Sequence, residues 1–195
     1  MLATLRTSCM LILAFTLLCG GAYPALITAI AQVAFSHQAN GSLLRQEGQV
    51  IGSRLIGQPF HSPGYFWGRP SATGTPYDGA ASSGSNLGPT NPSLRVRIAA
   101  RVAELRASDP ESREPIPVDL VTTSGSGLDP HISPAAARWQ APRVARERGL
   151  ELAALNALIA QHTEGRTFAL FGEERVNVLT LNLALDGKGD DCAGR

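Results

Sequence analysis

Ser124, Ser126, Asp129 and His131 fall in one short stretch, Ser124-Gly125-Ser126-Gly127-Leu128-Asp129-Pro130-His131. Between them they offer a hydroxyl nucleophile, an imidazole base and a carboxylate to orient the base. Proximity in sequence is poor support for such a triad, and the glycine-x-serine-x-glycine elbow that exposes a strained nucleophile is absent. A second polar stretch carries Ser82, Ser83, Gly84, Ser85, Asn86, Gly88 and Asn91. Its hydroxyls and amide suit an oxygen-rich partner or a cation, but a plain surface loop explains them as well. The four histidines, His37, His61, His131 and His162, are scattered with no two at helical ligand spacing, so no metal site is expected. Lys188 is the single lysine, which removes lysine nucleophiles and phosphate-loop contacts from consideration. With no Walker loop and no Asp-Lys-Thr-Gly phosphorylation motif, the chain is not expected to hydrolyse ATP alone.

The elements around these residues are read from pattern. Val118, Leu120 and Val121 followed by Thr122 and Thr123 predict a buried strand. Gly125 and Gly127 then free the backbone to turn, and a Val at either is expected to be costly if the turn needs a positive φ. Ser133-Pro134 starts a helix with a hydroxyl cap and a proline at its first position. Strand, polar glycine loop and helix together are a physical recipe for an anion or oxyanion site. A tight structural turn is the plainer alternative, and a glycine loop alone favours it.

Gly48 to Phe60 suggests short strands, one of them available to pair with the strand at Val118. Tyr65-Phe66-Trp67-Gly68-Arg69-Pro70 gathers three aromatics for the core or an interface. Residues 71–92 are too rich in glycine, proline and serine for regular structure. Asn91-Pro92 opens a helix with Leu94, Ile98, Val102 and Leu105 on its buried stripe. Further helices are expected from Pro134 to Arg148, interrupted at Pro142 and stopped by Gly149, and again around Leu152 to Ile159. Val176 to Leu185 fits both periods, and helix is favoured. The fold class is therefore α/β in the mixed α+β sense.

Seventeen basic and 16 acidic residues leave a net charge of +1, so no global field attracts nucleic acid. Cys9, Cys19 and Cys192 cannot staple the middle of the chain. No charged residue occurs from Thr7 to Leu44, and a bilayer core needs roughly 20 apolar residues of helix. A cleaved leader with Ala29-Ile30-Ala31 as its site and a lipoprotein attached at Cys19 are alternatives to a retained anchor. Leu18 is too bulky before a lipidated cysteine, and the apolar run is long for a leader, which favours the anchor. Arg6 before it predicts a cytoplasmic N-terminus. The expected organisation is residues 1–9 cytoplasmic, 10–35 anchor, 36–47 linker, 48–186 an extracytoplasmic, periplasmic domain and 187–195 a flexible tail. Gly20, Gly21 and Pro24 mark where the anchor would meet another membrane helix closely.

Tyr23-Pro24, Gly52-Ser53, Ile56-Gly57-Gln58 and Tyr65 to Ser71 stand in order along the chain. Ser82 to Asn91, Ser124 to Pro134, Val176-Asn177-Val178-Leu179 and Leu181-Asn182 follow them. On these motifs the chain resembles the C-subunit family of the Kdp-type bacterial potassium-transporting ATPase. The Arg138-Trp139-Gln140 stretch and the C-terminal tail look individual.

The resemblance implies a non-catalytic, single-span accessory subunit of an ATP-driven high-affinity potassium uptake pump in the bacterial inner membrane. It implies two partners besides membrane lipid, a channel-like potassium-binding subunit and a P-type ATP-hydrolysing subunit. It also implies a catalytic-chaperone role raising the ATP affinity of the hydrolysing subunit. ATP and potassium would then be met through the complex, with no cofactor held by this chain alone. The two polar loops are expected to shape the domain and face its partners. An exported enzyme using the Gly125/Gly127 loop is the competing class.

Overall fold

The structure, a computed structural model, describes residues 1–187. Lys188, Cys192 and the tail expected beyond Gly187 lie outside the described residues. The chain divides into a unit of residues 1–43 and a second beginning at Leu44.

In the first unit one helical run extends from Leu2 to Ala34. It consists of α1 (Leu2–Leu17), a π-helical turn (Leu18–Ala22) and α2 (Tyr23–Ala34). At 1.5 Å per residue it reaches roughly 50 Å, more than a hydrocarbon core of about 30 Å requires. The π turn is explained by Pro24, which has no N–H to give the preceding turn. The helix widens instead, and the Tyr23 N–H reaches five residues back to the Leu18 carbonyl. Residues 36–47, expected as a linker, begin with the one-turn α3 (Ser36–Ala39) and run on into a strand. Asn40 closes α3 by donating from Nδ2 to the Ser36 carbonyl at 2.7 Å.

The second unit is a mixed α+β domain. β1 (Leu43–Gln46) and β2 (Gln49–Ser53) form a two-stranded sheet. The two-residue turn between them, Glu47 and Gly48, holds φ at +50° and +79°, the handedness that short hairpin turns require. α4 (Pro92–Ser108) starts where Asn91-Pro92 predicts it, with Asn91 Oδ1 accepting from the Ser93 N–H at 2.9 Å. Of its stripe only Leu105 is fully buried; Leu94, Ile98 and Val102 are half-buried.

The strand predicted at Val118 does not form. Val118–Leu120 is a single 3-10 turn, with Val118 facing solvent and Leu120 buried. Pro115 and Pro117 offer no N–H to a ladder, and the Thr122 hydroxyl turns back onto the Val118 carbonyl at 2.8 Å. β2 therefore pairs with β1 and not with this segment.

The second sheet is built later in the chain, from β3 (His131–Ile132), β4 (Thr163–Glu164) and β5 (Arg175–Asn177), in the order β3-β5-β4. Both pairings are antiparallel; Val176 stands opposite Ile132 on one side and Thr163 on the other. α5 (Pro134–Arg148) is capped by Ser133 and closed by Gly149 at φ +64°. Pro142 lies inside it without ending it, and α6 (Leu152–Gln161) follows. The ambiguous last run divides: β5 takes Val176, and the Asn177 side chain accepts from the Thr180 N–H to start α7 (Val178–Leu185). The core joins Phe66, Trp67, Leu105, Leu120, Ile132, Trp139, Val144, Ile159, Val176 and Leu181.

Candidate functional site

The two polar loops are bound to each other, backbone to backbone. The Ser83 N–H donates to the Ser126 carbonyl at 2.9 Å, and the Ser82 hydroxyl donates to the same oxygen at 3.1 Å. The Ser71 hydroxyl donates to the Gly127 carbonyl at 2.7 Å, and the Gly57 N–H to that of Leu128 at 2.8 Å. Inside the loop Ser124 Oγ accepts from the Gly127 N–H at 2.9 Å and Ser126 Oγ from the Leu128 N–H at 3.1 Å. Gly127 has φ +69°, and a Cβ there would stand 2.6 Å from the Ser83 carbonyl oxygen. Gly84 is needed for close approach, since its Cβ would meet the Gly125 carbonyl oxygen at 2.9 Å. Gly125 differs from the sequence-based expectation: a Cβ meets nothing within 4 Å and its φ is not positive. Beyond the contact, Ser85 is half-buried, Asn86 is exposed at φ +51°, and the Gly88 carbonyl accepts from the Asn91 N–H at 3.0 Å.

Asp129 and His131 face a cleft of about 430 Å³ that they share with Arg69, Asp119, Glu173 and Arg175. Arg69 Nη1 donates to Asp129 Oδ2 at 3.1 Å, and Nη2 donates to the Thr123 carbonyl at 3.2 Å. Asp129 Oδ1 accepts from the His131 N–H at 3.0 Å and lies 3.4 Å from His131 Nδ1. Burial alone would raise the Asp129 pKa, but the His131 side-chain and backbone hydrogen bonds, with Arg69, outweigh it and lower the pKa below the usual carboxylate value. Among the described residues no hydrogen bond joins Ser126 to His131; the Ser126 hydroxyl is spent on its own turn. The anion recipe at the α5 N-terminus is filled from within the chain, since Asp119 Oδ2 accepts from the Ser133 N–H at 2.7 Å. Ser133 Oγ accepts from the Ala136 N–H at 3.0 Å. Among the described residues no group of three or more His, Cys, Asp or Glu side chains is placed to hold a metal ion.

Just before Arg69, the segment at Phe66 and Trp67 is held by side-chain amides. Asn182 takes the Phe66 N–H and donates to its carbonyl, each at 2.9 Å. Gln140 does the same for Trp67, at 2.8 Å and 3.1 Å. Arg143, fully buried, donates to the Pro63 and Tyr65 carbonyls and stacks over the Trp67 ring at 4.8 Å. Burial drives the Arg143 pKa down to about 10. Tyr77 donates from its hydroxyl to the Arg69 carbonyl at 2.6 Å, and burial pushes its pKa up to about 12. Sequence reasoning missed Asp119, Gln140, Arg143 and Tyr77. A polar residue in the middle of an apolar helical face, as at Gln140 and Arg143, is the signal that was available.

In the first unit Gly20 and Gly21 sit in the π turn, three and two positions before Tyr23, with open space where their side chains would be.

The family model described as K+-transporting ATPase, c chain, matches residues 5–187. The potassium-transporting ATPase KdpC subunit of Sorangium cellulosum is 64% identical over 188 residues, covering 96% of this chain and 99% of its own length. The KdpC subunit of Methylococcus capsulatus is 58% identical and covers 93% of this chain and 96% of its own length. That of Methylibium petroleiphilum is 60% identical, with 94% and 97% covered. The match spans the long apolar helix, both polar loops and the Phe66–Trp67 scaffold, and the chain belongs to the KdpC family of potassium-transporting ATPase c chains.

Proposed function

We propose that the chain is a non-catalytic accessory subunit of an ATP-driven, high-affinity potassium uptake pump. In this reading it assembles with a channel-like potassium-binding subunit and a P-type ATP-hydrolysing subunit. The long apolar helix crosses the bacterial inner membrane once through the anchor at residues 10–35, with the N-terminus in the cytoplasm and the domain in the periplasm. Residues 1–9, 10–35, 36–47, 48–186 and 187–195 serve as N-terminus, anchor, linker, domain and tail. ATP and potassium are met through the complex, and no nucleic acid is bound.

One observation carries the accessory reading. The loop with the most chemistry in its sequence spends its polar groups on the neighbouring loop and on its own turn, Ser126 through both its carbonyl and its hydroxyl. Such a loop fixes a surface. Ser82, Ser83, Gly84, Ser85, Asn86, Gly88, Asn91, Ser124, Gly125, Ser126, Gly127, Asp129 and His131 thus shape the domain and contribute to its partner face. Gly20, Gly21 and Pro24 form the membrane-helix contact. Because a periplasmic domain does not meet cytoplasmic ATP, the catalytic-chaperone effect passes through the membrane contacts as a coupling between states.

Purification of the tagged, full-length chain from membranes tests the reading. The two larger subunits should come with it, and the pump lacking this chain should need more ATP for half-maximal hydrolysis. Recovery of the chain alone, with unchanged ATP dependence of the pump, would overturn it.

A further inference from the structure

Between β4 and β5 the chain makes a tight turn whose side chains are apolar and whose backbone is strained. Phe168 is 89% exposed, Leu170 69% and Phe171 63%. Phe168 and Ala169 hold φ at +54° and +58°, a region that residues with a Cβ rarely occupy. The turn is nevertheless ordered by hydrogen bonds. Thr167 and Phe171 exchange N–H and carbonyl at 2.8 and 2.9 Å, and the Leu170 N–H reaches the Thr167 carbonyl at 3.2 Å. The Arg166–Glu173 ion pair at 3.0 Å closes the base, and Arg175–Glu164 at 3.0 Å lies beneath it.

We propose that this turn is a preformed docking knob that seats Phe168 in an apolar, basic-rimmed pocket of a protein partner. The proposal rests on the accessory-subunit reading for who that partner is, another subunit of the same pump. Strained backbone persists where the surroundings over-determine it, and such outliers cluster at binding sites. A rigid aromatic anchor presented without further ordering is what a binding hot spot needs. A fluid lipid interface rewards no such fixed geometry. Charge selects in the same direction. Residues 163–175 carry Glu164, Glu173 and Glu174 beside Arg166 and Arg175, and Arg54 adds a third guanidinium through its ion pair with Glu164 at 3.3 Å. Among the described residues Glu174 has no ion-pair partner. Anionic headgroups repel that unpaired carboxylate, whereas lysines or arginines around a protein pocket complement it.

The full-length chain, co-expressed with the other pump subunits, supplies the test. Phe168→Ser is expected to lower recovery of the larger subunits tenfold or more while leaving the thermal midpoint of the chain unchanged. Val118→Ser, which alters an exposed valine elsewhere, should leave recovery at the wild-type level. Glu174→Lys should lower recovery at low salt and less so at high salt. Wild-type recovery of both Phe168→Ser and Glu174→Lys overturns the knob alone, whereas failure of the wild-type chain to co-purify overturns the accessory reading with it. Phe168→Trp in phosphatidylcholine vesicles separates the remaining occupant, because Trp67 and Trp139 are both buried. Quenching of the new tryptophan by brominated lipid chains, with no partner present, would assign the tip to the bilayer and contradict the proposal.

Discussion

Asn182, on α7, pairs both ends of its side-chain amide with the main chain of Phe66, 116 positions earlier, at 2.9 Å each way. The amide thus stands in for one residue of a neighbouring strand, in a segment that belongs to neither sheet. Asn182→Ala leaves a buried N–H and a buried carbonyl unsatisfied at Phe66. A loss of about 2 to 5 kcal/mol in unfolding free energy is expected from two such groups. Denaturant unfolding of the full-length chain in detergent checks this, and Asn182→Asp should not restore stability, since a carboxylate has no N–H for the Phe66 carbonyl.

The two glycines of the central loop should separate. Gly127→Ala places a Cβ against the Ser83 carbonyl oxygen at a positive φ, and should cost more than about 1 kcal/mol. Gly125→Ala meets open space and should be nearly silent. Thermal melts of the two variants side by side distinguish them, and equal losses would contradict the packing described.

Asp129 gives the domain a pH dependence of known sign. Its folded pKa is lowered, so its contribution is complete well above the unfolded value of about 3.9 and is lost as pH falls through the folded value. Asp129→Asn should be less stable than wild type at pH 7, and the gap should close as pH falls below about 4. A gap independent of pH would show that the carboxylate charge is not what Arg69 and His131 hold.

Much of the helical architecture is legible in the sequence because caps and stops are local. Asn91-Pro92, Ser133-Pro134 and Gly149 each satisfy or end a helix within a few residues. The strand expected at Val118 failed for one local and one distant reason: Pro115 and Pro117 before it carry no N–H, and Asp119 is drawn to the start of α5. The site divides the same way. Both loops are visible as compositions, but their mutual hydrogen bonds, such as Ser83 to Ser126, join residues 43 positions apart and leave no periodic trace. Gln140 falls in a stretch that looks individual and proves to be a buried clamp on Trp67.

In the anchor, Gly21→Leu fills the open space of the π turn beside Pro24. If that turn meets a partner helix, co-purification of the pump should fall several-fold while membrane insertion is unchanged. Wild-type yield would make the segment a tether only.

The accessory role and the enzyme role of the Gly125/Gly127 loop diverge most at Ser126, whose hydroxyl accepts from the Leu128 N–H and has no hydrogen bond to a histidine among the described residues. The decisive measurement is potassium-stimulated ATP hydrolysis by the assembled pump carrying Ser126→Ala. A hydroxyl in a structural turn contributes about 1 kcal/mol to folding, so assembly and turnover should stay within about twofold of wild type. Loss of turnover by orders of magnitude, with assembly intact, would contradict a non-catalytic subunit.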